Sequence, residues 1–556
     1  MCSLSTNTQL ELIKSDWGEI MEKYEKSVAY FSMEIAIDQC LKTYSGGLGY
    51  LAGSHMRSAY ELNQNLVGVS MLWKYGYYTQ HRSENFHMDV KYIQKFYSFL
   101  EDTGIVVDVN IHDHICKVRA YYLPPETFNT VGIYFLTTDI EENDFLSRTI
   151  SHHLYDPNLA TRIAQEMVLG IGGAKVLEQV GEPDIYHMNE AHPLPLAFYL
   201  YEKYNDLEKV RKHLVFTTHT PEKAGNPSYD FKALKEMKYF GDCDLNKIAK
   251  ITGSDQFVET TAVALTFSKK ANAVSKMHAK VAREMWQHIA APEKIIGITN
   301  AQNRRYWQDK LLAKALVDNN DQALIDRKKK LKRKLFKIVA NQEGDLFDDN
   351  ILTIVWARRF AGYKRPDLIL RKLHEFLDMI SSCDYPVQMI WAGKPYPKDQ
   401  EGIAIFNSLV DLCYTRQSCS VLVGYELALS KRLKTGADIW LNTPRITREA
   451  SGTSGMTAAM NGAINFSIPD GWIPEFARDG ENCFLIPSDV NDANTAEQDE
   501  KDYQSMMKVL KETIIPMYYN DQKQWLKIVK NSMRDVMAFE SGRMADEYYK
   551  LLYNVR

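Results

Sequence analysis

The sequence predicts an α/β protein built from two parallel-sheet domains, and three observations support this. Short apolar runs rich in β-branched residues alternate with helical stretches along the whole chain. The 556 residues exceed the size of one ordinary hydrophobic core. Apolar residues make up 45% of the chain and charged residues 25%, which is typical of a globular protein and not of a disordered one.

The candidate strands fall into two sets, one in each half of the chain. In the first half they are Val28–Met33, Asn65–Leu72, Val131–Thr138, Asp184–Met188, Leu214–Thr218 and Asn272–Ser275. In the second half they are Ile351–Ala357, Val387–Ala392, Ser420–Val423 and Asp438–Leu441. Several are apolar almost throughout, as expected for parallel strands covered by helices on both faces. Two Rossmann-like domains are the simplest arrangement.

The charge and the amino-terminal sequence exclude some kinds of partner. With 67 basic and 71 acidic residues the formal charge is -4, so no overall field attracts nucleic acid or an anionic membrane. The sequence has no leader pattern and no apolar run of about 20 residues, so we expect a cytoplasmic protein. The eight cysteines and 14 histidines show no ligand spacing, and we expect no metal site.

Two charged segments and one candidate helix cap have structural interpretations. The basic run Asp326–Lys337 could bind a polyanion, but its apolar spacing favours a solvated amphipathic helix. The charged segment Gln498–Ser505 is predicted to be a surface loop. Ser541 is a candidate N-cap for a final helix that ends at Tyr553.

The first motif of chemical interest is the glycine-rich segment Tyr44–Gly49, just before a predicted helix over Leu51–Leu62. Gly46, Gly47 and Gly49 allow close approach of a ligand to the backbone, and a helix N-terminus offers N–H donors. An anionic or hydroxyl-rich ligand fits this pattern. A tight turn without a ligand fits it equally well.

The second motif, Trp356–Arg365, follows a predicted strand and holds four cations. Open α/β sheets bind ligands at the carboxyl ends of strands, and guanidinium groups bind phosphate with two hydrogen bonds. The segment therefore indicates a phosphate site. A basic surface loop with salt-bridge partners is the alternative.

The third motif, Asn442–Thr457, combines Glu449 with small residues and a helix start. Successive amides at a helix start can bind sugar hydroxyls or phosphate oxygens, and a glutamate accepts hydrogen bonds from hydroxyls. A sugar phosphate is the ligand that best fits. An ordinary capped helix is the alternative.

Together these motifs resemble the α-glucan (glycogen or starch) phosphorylases, which are retaining glycosyltransferases of the GT-B fold. The resemblance runs from about Val28 to Met517, and the chain is closer to the compact bacterial members than to the longer vertebrate and plant ones. The matching motifs, in family order, are Ser45–Gly49, Asn189–Pro193, Thr217–Pro221, Ile298–Asn300, Arg358–Arg365 and Glu449–Thr453.

The resemblance implies a domain organisation. Residues 1–300 form the amino-terminal lobe on the glucan or acceptor side, and residues 301–535 form the carboxy-terminal lobe on the phosphate or donor side. Residues 536–556 form a helix that returns towards the first lobe. The two Rossmann-like lobes face each other across a cleft.

The resemblance also implies roles for individual residues. Four residues are carried over as catalytic: Arg359, Lys364, His219 and Glu449. Arg359 and Lys364 hold phosphate, together with amides near Gly47 and Thr453. The remaining sugar contacts are His219 and Asn300 at the 6-hydroxyl, Glu449, Ser451 and Gly452 at the 3- and 4-hydroxyls, Leu48 at the anomeric region, and Glu190 nearby.

One departure from the family concerns its cofactor, pyridoxal phosphate. The family's anchoring lysine follows a Gly-Met pair, and here that position is Thr457, whose hydroxyl cannot form a Schiff base. Trp307 matches a residue lining the family's cofactor pocket, and Arg358 and Lys364 match contacts to the cofactor phosphate. The nucleotide of a nucleotide sugar is an alternative occupant, favoured over noncovalent pyridoxal phosphate.

Three functional hypotheses remain open. The leading one is phosphorolysis of an α-1,4-glucan or maltooligosaccharide to glucose 1-phosphate with retention at the anomeric carbon. The second is an α-glucosyltransferase of glycogen-synthase type that uses a nucleotide sugar. The third is a non-catalytic glucan-binding paralogue. The sequence leaves the acceptor length, the oligomeric state and regulation open.

Overall fold

A computed structural model describes residues 22–222, 225–289, 294–491 and 493–555, which form two compact units. The first unit combines residues up to Tyr77 with Tyr92–Thr299 and the stretch from Ser541. The second combines Tyr78–Lys91 with Asn300–Glu540. The sequence analysis placed residues 78–91 in the amino-terminal lobe, and the structure corrects this.

The reassigned segment is a hairpin whose hydrogen-bond partners belong to the second unit. Its strands, Thr79–Arg82 and Met88–Lys91, pair antiparallel. The buried amide of Gln80 donates to Gly393 O at 3.0 Å and accepts from Gly424 N at 3.0 Å. Sequence pattern alone could not assign the hairpin, because its partners lie more than 300 positions away.

Within the described residues, the first unit contains a nine-stranded sheet. Seven neighbouring strands are parallel, and two antiparallel strands extend one edge. If the parallel strands are numbered along the chain, their order is 3-2-1-4-5-6-7, the Rossmann order with one added strand. The strands in spatial order are Ile295–Gly297, Lys270–Ala273, Leu214–Thr218, Ile185–Asn189, Val28–Phe31, Leu66–Met71, Ile133–Thr137, His114–Leu123 and Glu101–Ile111.

The described part of the second unit contains a six-stranded sheet that is parallel throughout. Numbered along the chain, its strands follow the order 3-2-1-4-5-6, again the Rossmann order. In spatial order they are Cys419–Leu422, Val387–Ala392, Leu352–Ala357, Ile439–Asn442, Ile464–Ser467 and Phe484–Leu485. The chain therefore has the α/β architecture of GT-B type that the sequence predicts.

The helices of the first unit connect these strands, and several begin at a capping side chain. Asp144, Asn158 and Ser275 each accept a hydrogen bond from a backbone N–H in the first turn. The α-helices are Gly47–Glu61, Pro125–Phe128, Phe145–Thr149, Leu159–Met167, Gly173–Val180, Pro195–Tyr204, Leu207–His213, Phe231–Glu236, Leu245–Thr252, Thr260–Phe267, Lys276–Met285 and Ser541–Tyr548. A short strand pair, Ser228–Asp230 with Phe257–Glu259, lies outside the main sheet.

The helices of the second unit include the predicted basic one, which spans Asp321–Glu343 and packs with Leu331 and Leu335 buried. The charged segment Gln498–Ser505, predicted as a loop, is instead part of helix Thr495–Val509, capped by Asn494. The other α-helices are Arg304–Trp307, Lys310–Val317, Leu373–Ile380, Gln400–Cys413, Leu427–Gly436, Ser454–Ala459, Ile473–Phe476, Ile515–Asn520 and Gln522–Asp535.

The predicted strands agree with the observed ones within about two residues, and Leu214–Thr218 and Val387–Ala392 agree at both ends. The antiparallel strands Glu101–Ile111 and His114–Leu123 were not predicted, because much of their length is exposed and polar. Within the described residues, no helix combines the length and the apolar character needed to cross a bilayer.

The carboxy-terminal segment packs into the first unit through a buried chain of hydrogen bonds. The Tyr553 hydroxyl lies 2.6 Å from His187 Nδ1, and His187 Nε2 lies 2.6 Å from Thr217 Oγ1. Thr217 donates to Asn272 Oδ1, so it accepts from His187 Nε2–H, and His187 Nδ1 accepts from Tyr553.

The predicted N-cap role of Ser541 is wrong. Ser541 is the first helical residue, and its buried hydroxyl contacts the Ser58 hydroxyl at 2.5 Å and donates to Ser54 O at 3.3 Å. The hydroxyl therefore joins the carboxy-terminal helix to helix Gly47–Glu61.

Removal of the Tyr553 hydroxyl should destabilise the protein. In Tyr553→Phe the Nδ1 atom of His187 stays buried without its donor, which costs about 1–3 kcal/mol. Urea denaturation measures the change, and Tyr414→Phe is the control because Tyr414 is exposed. Equal stability of Tyr553→Phe and the wild type would contradict a stabilising role for the hydrogen bond between Tyr553 and His187.

Candidate functional site

Several of the predicted site residues follow the strands at which each sheet reverses its order, whereas His219 follows strand Leu214–Thr218 and Asn300 follows strand Ile295–Gly297. In the second unit these strands are Leu352–Ala357 and Ile439–Asn442, which precede the Arg358–Arg365 and Glu449–Thr453 segments. In the first unit they are Val28–Phe31 and Ile185–Asn189. Open α/β sheets bind ligands at this topological switch point, so the fold brings separate motifs together within each unit.

The second unit holds a buried cluster of two cations and one carboxylate. Glu449 Oε2 accepts from Lys364 Nζ at 2.6 Å and from Arg358 Nη1 at 3.2 Å. The Arg358 side chain is 7% exposed, Lys364 10% and Glu449 14%, so solvent screens these charges weakly. Arg359, the third predicted cation, is exposed at the edge of the cluster.

The charges of this cluster favour an anionic ligand. Burial alone would raise the pKa of Glu449, but the charges of Lys364 and Arg358 overcome this effect and hold it at about 2. Arg359 adds to the effect, so its charge also acts on Glu449. One ionised carboxylate thus faces three cations, which leaves positive charge for a bound phosphate.

Two buried polar atoms in or near the cluster have no hydrogen-bond partner among the described residues. They are Arg358 Nε and Ser451 Oγ. An unsatisfied buried polar group costs about 1–3 kcal/mol, and an ordered water or a bound ligand is its usual partner. Gly452 lies beside them at φ +81°, and a Cβ there would lie 3.6 Å from Arg358 Nη2. The loop therefore passes close to the guanidinium group.

Asp470 positions the Glu449 loop and was not identified from the sequence. One carboxylate oxygen accepts from Glu449 N at 2.9 Å, and the other accepts from Gly471 N at 2.8 Å. Burial raises the pKa of Asp470 to about 7, although these two hydrogen bonds act to lower it. The Asp-Gly pair soon after strand Ile464–Ser467 could have identified Asp470 as a site residue, because ligands bind at the carboxyl ends of the strands in such sheets.

Thr457 and Thr453 belong to the start of a short helix, Ser454–Ala459. Thr453 precedes this helix, and two of the amides that follow it already have partners, since Gly455 N donates to Gly452 O at 3.4 Å and Met456 N donates to Thr453 O at 3.2 Å. The fully buried Thr457 hydroxyl donates to Ser454 O at 3.0 Å, within its own helix. Thr457 therefore makes a structural hydrogen bond at the position where the family has its lysine.

Trp307, the predicted cofactor-pocket residue, has a buried lysine against its ring. The Nζ atom of Lys434, on helix Leu427–Gly436, lies 3.8 Å from the Trp307 ring centroid. Both side chains are almost fully buried. The sequence analysis did not single out Lys434, because helical periodicity only marks it as one position on an amphipathic helix.

Burial lowers the pKa of Lys434 well below the usual range of a lysine. The aromatic face opposes this shift, since a desolvated cation–π contact is worth about 2 kcal/mol. Removing an ammonium ion from water costs several kcal/mol, so the effect of burial is larger. Lys434 is therefore a candidate for a neutral, nucleophilic amine.

In the first unit, the glycine-rich segment is held by Glu34, which the sequence analysis did not identify. Glu34 Oε2 accepts from Ser45 N at 2.6 Å and from Gly46 N at 3.0 Å. The helix begins at Gly47, so Gly47 and Leu48 present first-turn N–H groups that have no partner inside the helix. Glu34 thus fixes the turn through the amides of Ser45 and Gly46, and the amides of Gly47 and Leu48 are candidates to bind a ligand.

Glu190 has a strained backbone at the end of strand Ile185–Asn189, with φ at 71°. Its Oε2 atom accepts from His219 N at 2.8 Å, and burial raises its pKa to about 7. Strain of this kind is concentrated at functional sites. Glu190 is therefore a carboxyl group that can change protonation near neutral pH.

His219 is a neutral histidine with an assignable tautomer. Burial lowers its pKa to about 3, and its Nε2 atom lies 2.7 Å from the side-chain oxygen of Asn189. Since an amide oxygen only accepts, Nε2 carries the proton and Nδ1 is an acceptor. Asn300, which begins the longer segment of the second unit, is buried, and its side-chain oxygen has no hydrogen-bond partner among the described residues.

Comparison with known proteins gives two family matches that together cover most of the chain. The model of the carbohydrate phosphorylase family matches residues 308–507. The model of the starch synthase catalytic domain matches residues 28–289. The two matches correspond to the two sheets.

Three curated relatives match nearly the whole chain. An uncharacterised protein of Methanocaldococcus jannaschii is 47% identical over 95% of this chain and 100% of its own length. Maltodextrin phosphorylase of Thermococcus litoralis is 31% identical over 96% of this chain and 71% of its own length. Glycogen phosphorylase of Aquifex aeolicus is 28% identical, with corresponding shares of 96% and 87%.

The raised pKa of Glu190 predicts a pH-dependent stability effect. A carboxyl group whose pKa is raised in the folded state stabilises the folded protein fully at pH values below its unfolded pKa of 4.5. This contribution is lost as the pH rises through the folded pKa of about 7. Glu190→Gln should therefore leave stability at about pH 4 little changed and raise it by up to about 3 kcal/mol at about pH 9.

Chemical denaturation of wild type and variant at the two pH values measures this difference. Glu126→Gln is the control, because Glu126 is an exposed carboxylate of the same unit. The same change in stability at both pH values would show that folding does not raise the pKa of Glu190.

Proposed function

Because the chain belongs to the carbohydrate phosphorylase family, we propose that it transfers α-glucosyl units between an α-1,4-glucan or maltooligosaccharide and inorganic phosphate, with retention. The observation that carries the proposal is the buried cluster of Arg358, Lys364 and Glu449. It offers an anion site and a hydroxyl acceptor within one unit. Glucose 1-phosphate is the expected product.

The cluster can stabilise the charges that develop during transfer. As the bond at the anomeric carbon breaks, the sugar becomes oxocarbenium-like and negative charge grows on the leaving oxygen. Lys364 and Arg359 are proposed to hold phosphate against this charge, and Arg358 to extend the cationic surface. Fixed cations in a weakly solvated site favour the transition state without reorganising.

The Glu449 loop is proposed to bind the transferred sugar. Its ionised carboxylate accepts hydrogen bonds from hydroxyl groups, and the unpartnered Ser451 hydroxyl donates or accepts another. Gly452 and Thr453 contribute backbone amides. Asp470 holds this loop in position by accepting a hydrogen bond from Glu449 N.

In the first unit, the helix start and the Glu190 region are proposed to bind glucan. The Gly47 and Leu48 amides suit an oxygen of phosphate or of the anomeric centre. Glu190 and the Nδ1 acceptor of neutral His219 suit sugar hydroxyl groups. The buried side-chain oxygen of Asn300, in the second unit, suits a hydroxyl donor.

The second unit has residues that fit pyridoxal phosphate. Arg358, with its unpartnered Nε, together with Lys364 and the amides near Thr453, suits the cofactor phosphate, and Trp307 offers an aromatic surface. When bound, this cofactor supplies a phosphate group that exchanges a proton with the substrate phosphate. The Thr457 hydroxyl cannot anchor it covalently.

A nucleotide sugar is the second candidate donor. The starch synthase match over residues 28–289 favours it, and the cationic cluster suits the distal phosphate of such a donor as well as free phosphate. The two candidates differ in whether transfer depends on inorganic phosphate or on a nucleotide diphosphate, and the assay below separates them.

Replacement of Lys364 should abolish most transfer activity. Lys364→Met removes a cation from the cluster and should lower the rate of glucose 1-phosphate formation by about 10²–10³-fold. The assay contains maltooligosaccharide and phosphate, with and without added pyridoxal phosphate. Lys330→Met is the control, because Lys330 is exposed on the basic helix.

The same assay with a panel of nucleotide sugars tests the second candidate. Transfer from a nucleotide sugar, with no glucose 1-phosphate formed from glucan and phosphate, would replace phosphorolysis by nucleotide-dependent synthesis. Binding of maltooligosaccharide with no turnover of either donor would identify a non-catalytic glucan-binding protein.

A further inference from the structure

Lys434 lies on a helix face that also faces the cation cluster. Ser430 precedes Lys434 by four residues on helix Leu427–Gly436, so the two side chains lie on one face about 6 Å apart. Ser430 Oγ donates to the Tyr425 hydroxyl at 3.4 Å, and Tyr425 donates to Ala357 O at 3.3 Å. Ala357 directly precedes Arg358 in the chain.

The electrostatic interaction of Tyr425 with Arg358 supports the same placement. Burial raises the pKa of Tyr425, and the Arg358 charge acts on it in the opposite direction. The helix face that carries Ser430 therefore lies close to Arg358 at one end, where Ser430 contacts Tyr425. Lys434 lies at the other end of this face, near the carboxyl end of the helix.

Lys434 is also close to the position that the family uses for its cofactor lysine. The side-chain amide of Asn461 donates to Trp307 O at 3.0 Å and to Thr457 O at 2.8 Å. One buried side chain therefore joins the backbones of Trp307 and Thr457. The Lys434 amine lies 3.8 Å from the Trp307 ring centroid, so it enters the same region from a different helix.

We propose that Lys434 anchors pyridoxal phosphate covalently in this protein, in place of a lysine at position 457. The inference rests on the proposed function only for the identity of the cofactor. The Nζ lone pair adds to the aldehyde carbon, a C=N bond replaces the C=O bond, and the aldehyde oxygen leaves as water with two protons from the amine. No oxidant or reductant takes part in this condensation.

The environment of Lys434 supports this chemistry. Only the unprotonated form of an amine attacks an aldehyde, and burial favours that form. The indole of Trp307 provides an apolar surface beside the amine. Arg358, which lies near Tyr425 at the other end of this helix face, provides a cation for the cofactor phosphate.

Two neighbouring lysines have amines held by carbonyl oxygens and serve as comparisons. Lys431 Nζ donates to Tyr306 O at 2.5 Å. Lys328 Nζ donates to Thr435 O at 3.1 Å and to Asn461 O at 3.0 Å. Lys431 lies on the same helix as Lys434, so Lys431→Met is the matched control for Lys434→Met.

The test locates the covalent bond directly. The full-length protein is incubated with equimolar pyridoxal phosphate, reduced with borohydride and digested, and the pyridoxyl-modified lysine is identified by peptide mass spectrometry. We expect the adduct on Lys434, together with an imine absorption band before reduction. Lys434→Met should lose both signals, and Lys431→Met should keep both.

Each other outcome has a defined meaning. An adduct on a different lysine, or cofactor binding without any adduct, would overturn the proposal, and so would the absence of binding. The wild-type peptide map decides this even if Lys434→Met fails to fold. Phosphorolysis without an adduct leaves the proposed function intact, whereas an adduct without turnover leaves the anchor intact and removes the function.

Discussion

The shared carboxylate of Glu449, held by Lys364 and Arg358, is the interaction on which the candidate site depends. Buried charges of one sign repel each other and are costly to desolvate, so two cations in the segment after strand Leu352–Ala357 need a nearby anion. Glu449 supplies that anion and can also bind a hydroxyl group. Asp470 then holds the Glu449 backbone in place. The loop that would contact a sugar is thus also the loop that stabilises the phosphate site.

The sequence predicts the sheets well because central parallel strands are apolar throughout, as in Val387–Ala392. It also places the cations of the second unit correctly at a strand end, since this depends on local order along the chain. The hairpin 79–91 could not be assigned, because its partners are distant in sequence and its own pattern is polar. Part of helix Thr495–Val509 was predicted as a loop, because its many charged residues dominate the sequence pattern. The helix nevertheless has a buried face that includes Tyr503 and Met506.

The residues that the sequence analysis did not identify act through contacts between distant segments. Glu34 holds the glycine-rich turn through the amides of Ser45 and Gly46, and no motif marks it as part of that turn. Lys434 is similar, because its significance comes from burial against Trp307, more than 100 positions earlier in the chain. Sequence spacing identifies groups that share a loop or a helix face. Tertiary structure is needed to find the side chains that support them.

The chain passes between the two units after Tyr77, Lys91, Thr299 and Glu540, so neither unit is one continuous segment. During synthesis all of the second unit leaves the ribosome before residues 541–555, which supply Tyr553 to the buried hydrogen-bond chain of the first unit. Domains usually complete folding in the order of their amino termini. Here the amino-terminal unit is completed only after residues 541–555 have been synthesised.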